Sequence, residues 1–362
     1  MQLTRWCDKF SDGLISGFKE QSKVELAYTE YVKRRDQEEA MQIIDHHLCD
    51  DNGTPYEFAD VKNYDRGVQF KFNPEYYPLE YIVMHHTVSG TLDSVLQTFN
   101  NPNEKSSAHL VIDRDGSIAQ CVPFDTFAWH TGDSHWADRG LRKGSSSLNR
   151  FSIGIEMVNW GPGFLSEDDH WNHGKRNLTL PGDDVVFATS KHGYPSKGTG
   201  WQKFPEVQVE AALEVVKALL VAYPGILDVV GHEDIKKEWD AGVQRFYKDD
   251  VRGDPMTDRE DPGPAFPMAD FRARALGLEP GMPEKFLVIL NLVVPEYRYL
   301  CDEPGLYGRK KSQNNSRPLK HKEIVDVMEH QWWWAKVRAE NPDGSFLEGW
   351  MPERYLKRIK PV

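Results

Sequence analysis

The residues best equipped for chemistry lie far apart in this chain, and each stands at the edge of a segment that reads as structured. Tyr81-Ile82-Val83-Met84 is an apolar run of the kind expected of a strand covered on both faces, and it stops at His85-His86-Thr87. A second run, Ile226 to Val230, stops at Gly231-His232. Asp261 opens the segment Asp261-Pro262-Gly263-Pro264-Ala265-Phe266. Two imidazoles and one carboxylate would fill three corners of a tetrahedral zinc site and leave the fourth to a water of lowered pKa. A lone histidine at a strand end is ordinarily a surface or hydrogen-bonded residue, so these three count only as a set. His85 and His86 are neighbours on one strand and leave opposite faces, so only one can reach a given ion. Spacing does not say which.

Glu156 adds a second kind of chemistry. In Phe151 to Val158, strand alternation puts Ser152, Gly154, Glu156 and Val158 on one face and Ile153, Ile155 and Met157 on the other. The carboxyl therefore shares a face with two small residues that leave room beside it. A carboxylate next to a cavity can act as a general base on an attacking water, where an ordinary salt bridge is the plainer role.

The elements that must position these groups follow from the surrounding pattern. Helical periodicity is expected around Leu92 to Phe99, and a hairpin from His109 to Val122 around Asp115-Gly116. A helix opens at Pro205 with Glu206, Glu210, Glu214 and Lys217 as its polar stripe, and stops at Pro224-Gly225. Strands and helices alternating in this way predict an α/β domain with helices packed on a central sheet. Residues 1 to about 50 read as helix from Leu26, Tyr28, Tyr31 and Val32, then Met41, Ile44 and Leu48. Residues 161–204 show no period and read as a long functional loop or insertion. The Pro and Gly between 267 and 284 suggest a linker, and short strand-like runs from Phe286 onward suggest a small β-barrel.

Whole-chain properties exclude several classes. The 362 residues are 39% hydrophobic and 28% charged, which suits two or three globular domains. A net charge of −12 without a Lys/Arg stripe argues against nucleic acid as a partner. No apolar stretch reaches membrane-spanning length, and Arg5, Asp8, Lys9 and Asp12 interrupt any signal-peptide core, so the chain is expected to be soluble and made in the cytoplasm. Cys7, Cys49, Cys121 and Cys301 are widely spaced and predict reduced thiols.

From about 78 to 268 the chain closely resembles the zinc-dependent N-acetylmuramoyl-L-alanine amidase family, which includes phage lysozymes of the amidase type, cytoplasmic muropeptide-recycling amidases and peptidoglycan recognition proteins. The resemblance rests on IVMHHT, SSAHLVIDRDGSIAQCVP, AWHTGDS, NRFSIGIEMVN, GHEDI and DPGPAF, six segments in the family's order. It implies a central mixed sheet flanked by helices and hydrolysis of the bond between the lactyl group of N-acetylmuramic acid and L-alanine of peptidoglycan or a muropeptide. It implies Zn2+ held by His85, His232 and Asp261, with Glu156 as base. Some relatives carry a catalytic tyrosine just before the hairpin histidine; this chain has Ala108 there, which leaves the base role to Glu156 alone. Where the family often has lysine two residues before the ligand aspartate, this chain has Arg259, a permanent charge expected to steady the developing oxyanion. His130, Trp129, Asn159 and His109 are expected along the substrate groove, with Trp129 stacking on sugar or peptide; a packed, hydrogen-bonded role is the alternative for each.

Two departures matter. His232 and Asp261 are 29 positions apart (261 − 232), so 236–258 reads as an inserted lobe, and its Asp240, Asp249, Asp250 and Asp254 compete with Asp261 as third ligand. The 161–204 segment is also long for the family. The expected organisation is thus a helical extension over 1–77, a catalytic domain over 78–268, a linker over 269–284 and a small barrel over 285–362. That tail resembles a bacterial SH3-type domain, chiefly in WAKVRAENPDGSFLEGWMPERYL, which implies a wall peptide or partner chain as its ligand, or a purely structural appendage. Action on the wall would require delivery by a holin or a dedicated secretion system. The rival reading is a peptidoglycan-binding protein without catalysis.

Overall fold

The computed structural model describes residues 40–64, 71–132, 134, 136, 137, 139, 148–165, 171–173, 176–180, 182–188, 199–235, 239–240, 245–246, 261–279, 282–289, 300–302, 317–331 and 334–360. At the amino end, β1 (Gln42–Ile44) and β2 (His47–Cys49) form a hairpin where helical spacing predicts a helix. Its loop is Asp45-His46, with φ of 48° and 67°, the positive values a two-residue hairpin loop uses to match strand twist. Alternation then decides which residues turn inward: Leu48 is buried in the main core and Ile44 is exposed. The remainder of that expected helix, residues 1–39, lies outside the described residues. β3 (Glu57–Phe58) pairs with β6, so this segment forms an edge of the central sheet rather than a separate extension.

The central sheet has six strands in the order β13-β4-β7-β5-β6-β3. Its members after β3 are β4 (Tyr81–His86), β5 (Leu110–Ile112), β6 (Ile118–Gln120), β7 (Ser152–Met157) and β13 (Asp228–Gly231). β13, β4, β7 and β5 run parallel, and β5–β6 is the hairpin expected around Asp115-Gly116. Both faces are covered, which is why these strands read as unbroken apolar runs. Ile82, Met84, Ile153, Ile155 and Met157 pack beneath α2 (Glu206–Ala222) and α3 (Met268–Leu276). On the opposite face Val111 packs with Val95 and Phe99 of α1 (Leu92–Asn100), and Tyr81, Val83 and Val230 with Trp136 and Leu148. Buried Gln208 of α2 donates from Nε2 to the carbonyls of Ile112 and Val158, both at 3.0 Å, and so satisfies the ends of β5 and β7.

Residues 161–204 are not an unstructured loop. They carry a second sheet, ordered β10-β9-β8-β12-β11, from β8 (Pro162–Leu165), β9 (Trp171–His173), β10 (Arg176–Leu180), β11 (Val185–Val186) and β12 (Thr199–Gln202). Its strands are two to five residues long, too short for a clear period. In the expected lobe over 236–258, β14 (Trp239–Asp240) pairs with β15 (Arg245–Phe246), and the rest lies outside the described residues.

The expected linker is a further correction, because α3 occupies it. Pro267 sits at the N-cap and Gly277 at a left-handed C-cap (φ 64°), so the residues that suggested a linker are helix punctuation. Phe271 is fully buried in the main core. Beyond it β16 (Glu284–Val288), β17 (Ile324–Gln331), β18 (Trp334–Glu340), β19 (Phe346–Pro352) and β20 (Leu356–Arg358) form an antiparallel sheet ordered β19-β18-β17-β16-β20. It has its own core of Phe286, Val325, Val337, Leu347 and Leu356.

Candidate metal centre

The register of three adjacent parallel strands lines up the functional side chains. Gly231 pairs with Met84, so His232, one residue beyond β13, stands level with His85. His85 in turn pairs with Glu156 on β7. All three occupy the carboxyl ends of parallel strands, where α/β sheets commonly place their sites. Parity also separates the histidine pair. His85 shares a face with Tyr81 and Val83, whereas His86 points to the opposite face, where its ring meets Trp201 edge-on at 6.5 Å.

Asp261 arrives from after the inserted lobe. Its carbonyl accepts from Glu233 N at 2.8 Å, and Phe266, five residues on, anchors the segment in the core. The donor atoms then converge: His85 Nδ1 lies 3.0 Å from His232 Nδ1, and each is 2.9 Å from Asp261 Oδ2. All three residues are buried, and they are the group among the described residues that could hold a metal.

Electrostatics suit that arrangement. Burial, then the neighbouring His232, pushes the His85 imidazole down to about 4. Burial works against the Asp261 carboxylate, but the charge of His232 and hydrogen bonds from both histidines outweigh it and hold the carboxyl well below its usual range. His85 thus offers a neutral lone pair and Asp261 a full negative charge. With His232 that is the mixed nitrogen–oxygen donor set of a zinc site, so these residues fit such an ion.

Glu156 completes the picture. Burial, with a smaller contribution from the Asp261 charge, pushes its carboxyl up to about 8. Its Oε2 is buried and makes no hydrogen bond among the described residues. A buried polar atom in this position calls for a water, an ion or a chemical role.

The residues expected along the groove divide. Trp129 is half-buried, its backbone tied to Ser107 by Trp129 N donating to Ser107 Oγ at 2.9 Å and Ser107 N donating to Trp129 O at 3.0 Å. His130 lies under it, with Nδ1 3.0 Å from His85 Nε2, and burial drives its imidazole well below the usual value. Its ring occupies the room that Gly154 leaves: a Cβ there would come within 2.5 Å of it. His109 is inside the fold rather than on a groove wall. Its Nε2 donates to Thr126 O at 2.8 Å, its Nδ1 accepts from Gly154 N at 3.0 Å, and no surface is left for a ligand. Asn159 is also fully buried. Its Nδ2 donates to the carbonyls of Gln202 and Lys203, so it clips the inserted sheet to the end of β7. Arg259 lies outside the described residues, as do Asp249, Asp250 and Asp254. Thr131 and Asn149, which sequence reading passed over, also border the centre. Their signal is membership of two segments that carry the resemblance, Thr131 in AWHTGDS and Asn149 at the head of NRFSIGIEMVN.

The chain is similar to known proteins in three comparisons. A family model described as N-acetylmuramoyl-L-alanine amidase matches residues 75–264, more than half of the chain. The 1,6-anhydro-N-acetylmuramyl-L-alanine amidase AmpD of Escherichia coli (strain K12) is 28% identical over 187 residues, covering 51% of this chain and 67% of that protein. AmpD of Citrobacter freundii is 29% identical over 168 residues, covering 46% of this chain and 56% of that protein. The chain thus spans between about half and two thirds of these curated relatives. Among solved structures, a complex of the N-acetylmuramyl-L-alanine amidase AmiD from E. coli with anhydro-N-acetylmuramic acid-L-Ala-D-gamma-Glu-L-Lys is similar at 21% identity and a TM-score of 0.33, covering 68% of each chain.

Proposed function

Because this chain belongs to the N-acetylmuramoyl-L-alanine amidase family, we propose that it hydrolyses the amide between the lactyl group of N-acetylmuramic acid and L-alanine, using zinc held by His85, His232 and Asp261. The observation that carries this reading is the convergence of three buried donor atoms, within 3.0 Å of one another, next to the half-buried Glu156, whose Oε2 is buried without a partner among the described residues. Bound there, zinc would supply Lewis acidity and lower the pKa of a water.

The protein's own groups do the rest. Glu156 accepts the proton of the attacking water at a carboxylate oxygen and delivers it to the departing L-alanine nitrogen. Burial, and then the Asp261 charge, raise this carboxyl, which favours uptake of the water proton and its retention until the nitrogen departs. Arg259, two residues before Asp261, is the second positive group we assign to the oxyanion, in the place where the family often has lysine, although arginine is bulkier and not equivalent. Trp129 forms a wall for sugar or peptide. The C-terminal antiparallel sheet we assign to an SH3-like domain whose ligand is a wall peptide or partner chain. A protein that only bound peptidoglycan would have no use for an ionisable carboxyl beside a complete donor set, which favours catalysis over recognition alone.

Glu156→Gln tests the assignment, because it keeps the side-chain shape and removes the base. Turnover of an N-acetylmuramoyl-L-alanyl peptide should fall by roughly two to four powers of ten, while bound zinc measured by elemental analysis stays at the wild-type level. Near-normal turnover in this variant would remove Glu156 from the mechanism.

A further inference from the structure

Both imidazoles of the triad turn their second nitrogen away from it, and both second nitrogens meet one short segment. His85 Nε2 lies 3.0 Å from His130 Nδ1, and His232 Nε2 lies 3.3 Å from the carbonyl of Thr131. Since His85 and His232 face the triad through Nδ1, their ring protons belong on Nε2. His85 then donates to His130 Nδ1 and His232 donates to Thr131 O. His130 in turn keeps its proton on Nε2, which points at Ser152 O at 3.4 Å and Ser152 Oγ at 3.3 Å. Ser152 Oγ is turned the other way, donating to Leu148 O at 2.7 Å. The proton positions along this buried chain are therefore set from one end to the other.

The 130–131 segment is itself held. Asn149 Oδ1 accepts from His130 N at 3.0 Å, Thr131 N at 2.8 Å and Thr131 Oγ1 at 2.9 Å, and Asn149 N donates back to Thr131 Oγ1 at 3.1 Å. Gly154 supplies the space for the His130 ring.

We propose that His130 and Asn149 are positioning residues for the metal centre: His130 fixes the ring and tautomer of His85, and Asn149 holds the segment that does the same for His232. This moves His130 from the substrate groove to the underside of the metal ligands. The proposal rests on the triad being a zinc site. Outer hydrogen bonds of this kind typically contribute about 10–100-fold in metal affinity.

The test compares His130→Asn with His130→Phe. Asparagine puts an acceptor oxygen where Nδ1 stands but leaves a void; phenylalanine fills the space and accepts nothing. Zinc affinity is measured by competition with a chromophoric chelator, with circular dichroism checking the fold and cobalt(II) absorption reporting ligand geometry. We expect His130→Phe to bind zinc about 10–100-fold more weakly with an altered cobalt spectrum, and His130→Asn to stay within a few-fold of wild type. Asn149→Leu should weaken zinc binding, and Asn149→Asp, which keeps the acceptor, should restore most of it. If packing alone mattered, the order of the His130 variants would reverse, and that result overturns the proposal. Should His130→Phe not fold, the Asn149 pair decides alone: equal zinc affinity in its two variants overturns it. Wild-type protein that binds no zinc would instead overturn the metal reading, and this proposal with it.

Discussion

At the scale of single residues, burial acts in opposite directions on the two carboxyls of the site. Asp261 keeps its charge because two imidazoles face it, whereas Glu156 has no such partner and is pushed toward its neutral form. The triad also collects three electron-rich atoms in a buried space, an arrangement a cation stabilises. Zinc should therefore raise the thermal midpoint of the wild-type protein, by the equivalent of about 2.7 kcal/mol at a hundredfold excess over its dissociation constant. The same addition to His232→Ala should leave the midpoint nearly unmoved. An equal rise in both would place the bound ion elsewhere.

Much of this site was legible residue by residue, because His85, His232, Asp261 and Glu156 each sit at or just beyond a recognisable strand or motif. The choice between His85 and His86 was not, since it depends on which face of β4 looks toward β13's end. Nor were the roles of His130 and His109. Both rings make their hydrogen bonds to partners between 17 and 45 positions away, and no local pattern distinguishes a buried ring from one on a groove wall.

At the scale of elements, the site depends on β4, β7 and β13 lying side by side in parallel, so that one row crosses three strand ends. Gly154 in β7 is the position where this arrangement is least tolerant. A Cβ would stand 2.5 Å from Cγ and Nδ1 of the His130 ring, which is enclosed and cannot step aside cheaply. Gly154→Ala should lower unfolding stability in urea by about 1–3 kcal/mol, the usual cost of overpacking. A variant as stable as wild type would mean that the ring has freedom its enclosure does not suggest.

The elements that escaped sequence reading did so for identifiable reasons. The 42–49 hairpin turns through Asp45-His46 without the glycine that usually marks such loops. The 161–204 sheet is built from strands too short to declare a period. α3 was hidden by its own caps, since Pro267 and Gly277 punctuate a helix as readily as they loosen a linker.

At the scale of the whole molecule, the C-terminal sheet is docked on the α/β domain rather than tethered to it. Leu287 and Ile289 join the cluster of Tyr81, Val83 and Val230. Arg272 of α3 binds both Asp228 at the start of β13 and Glu284 at the start of β16, Arg358 reaches Leu227 O, and Lys357 pairs with Glu80. His330 on β17 extends this network between Glu284 and Glu353. Burial opposes its charge, but Glu353 and Glu284 outweigh that and raise the imidazole to about 10. In the unfolded chain the value returns to about 6.5. A raised folded value favours the protonated form, so the stabilisation is complete below the unfolded value and disappears as pH rises through the folded one. The urea midpoint of wild type should exceed that of His330→Gln below about pH 6.5, and the two should converge above about pH 10. A gap that widened with rising pH would contradict the ion network.

The measurement that bears most directly on amide hydrolysis is mass analysis of what the zinc-loaded protein releases from purified sacculi. The expected products are free stem peptides with a new L-alanine amino terminus, alongside glycan strands of unchanged length that keep their lactyl groups. Glycan fragments with new reducing ends and peptides still attached, or sacculi that bind the protein and stay whole, would contradict the amidase account.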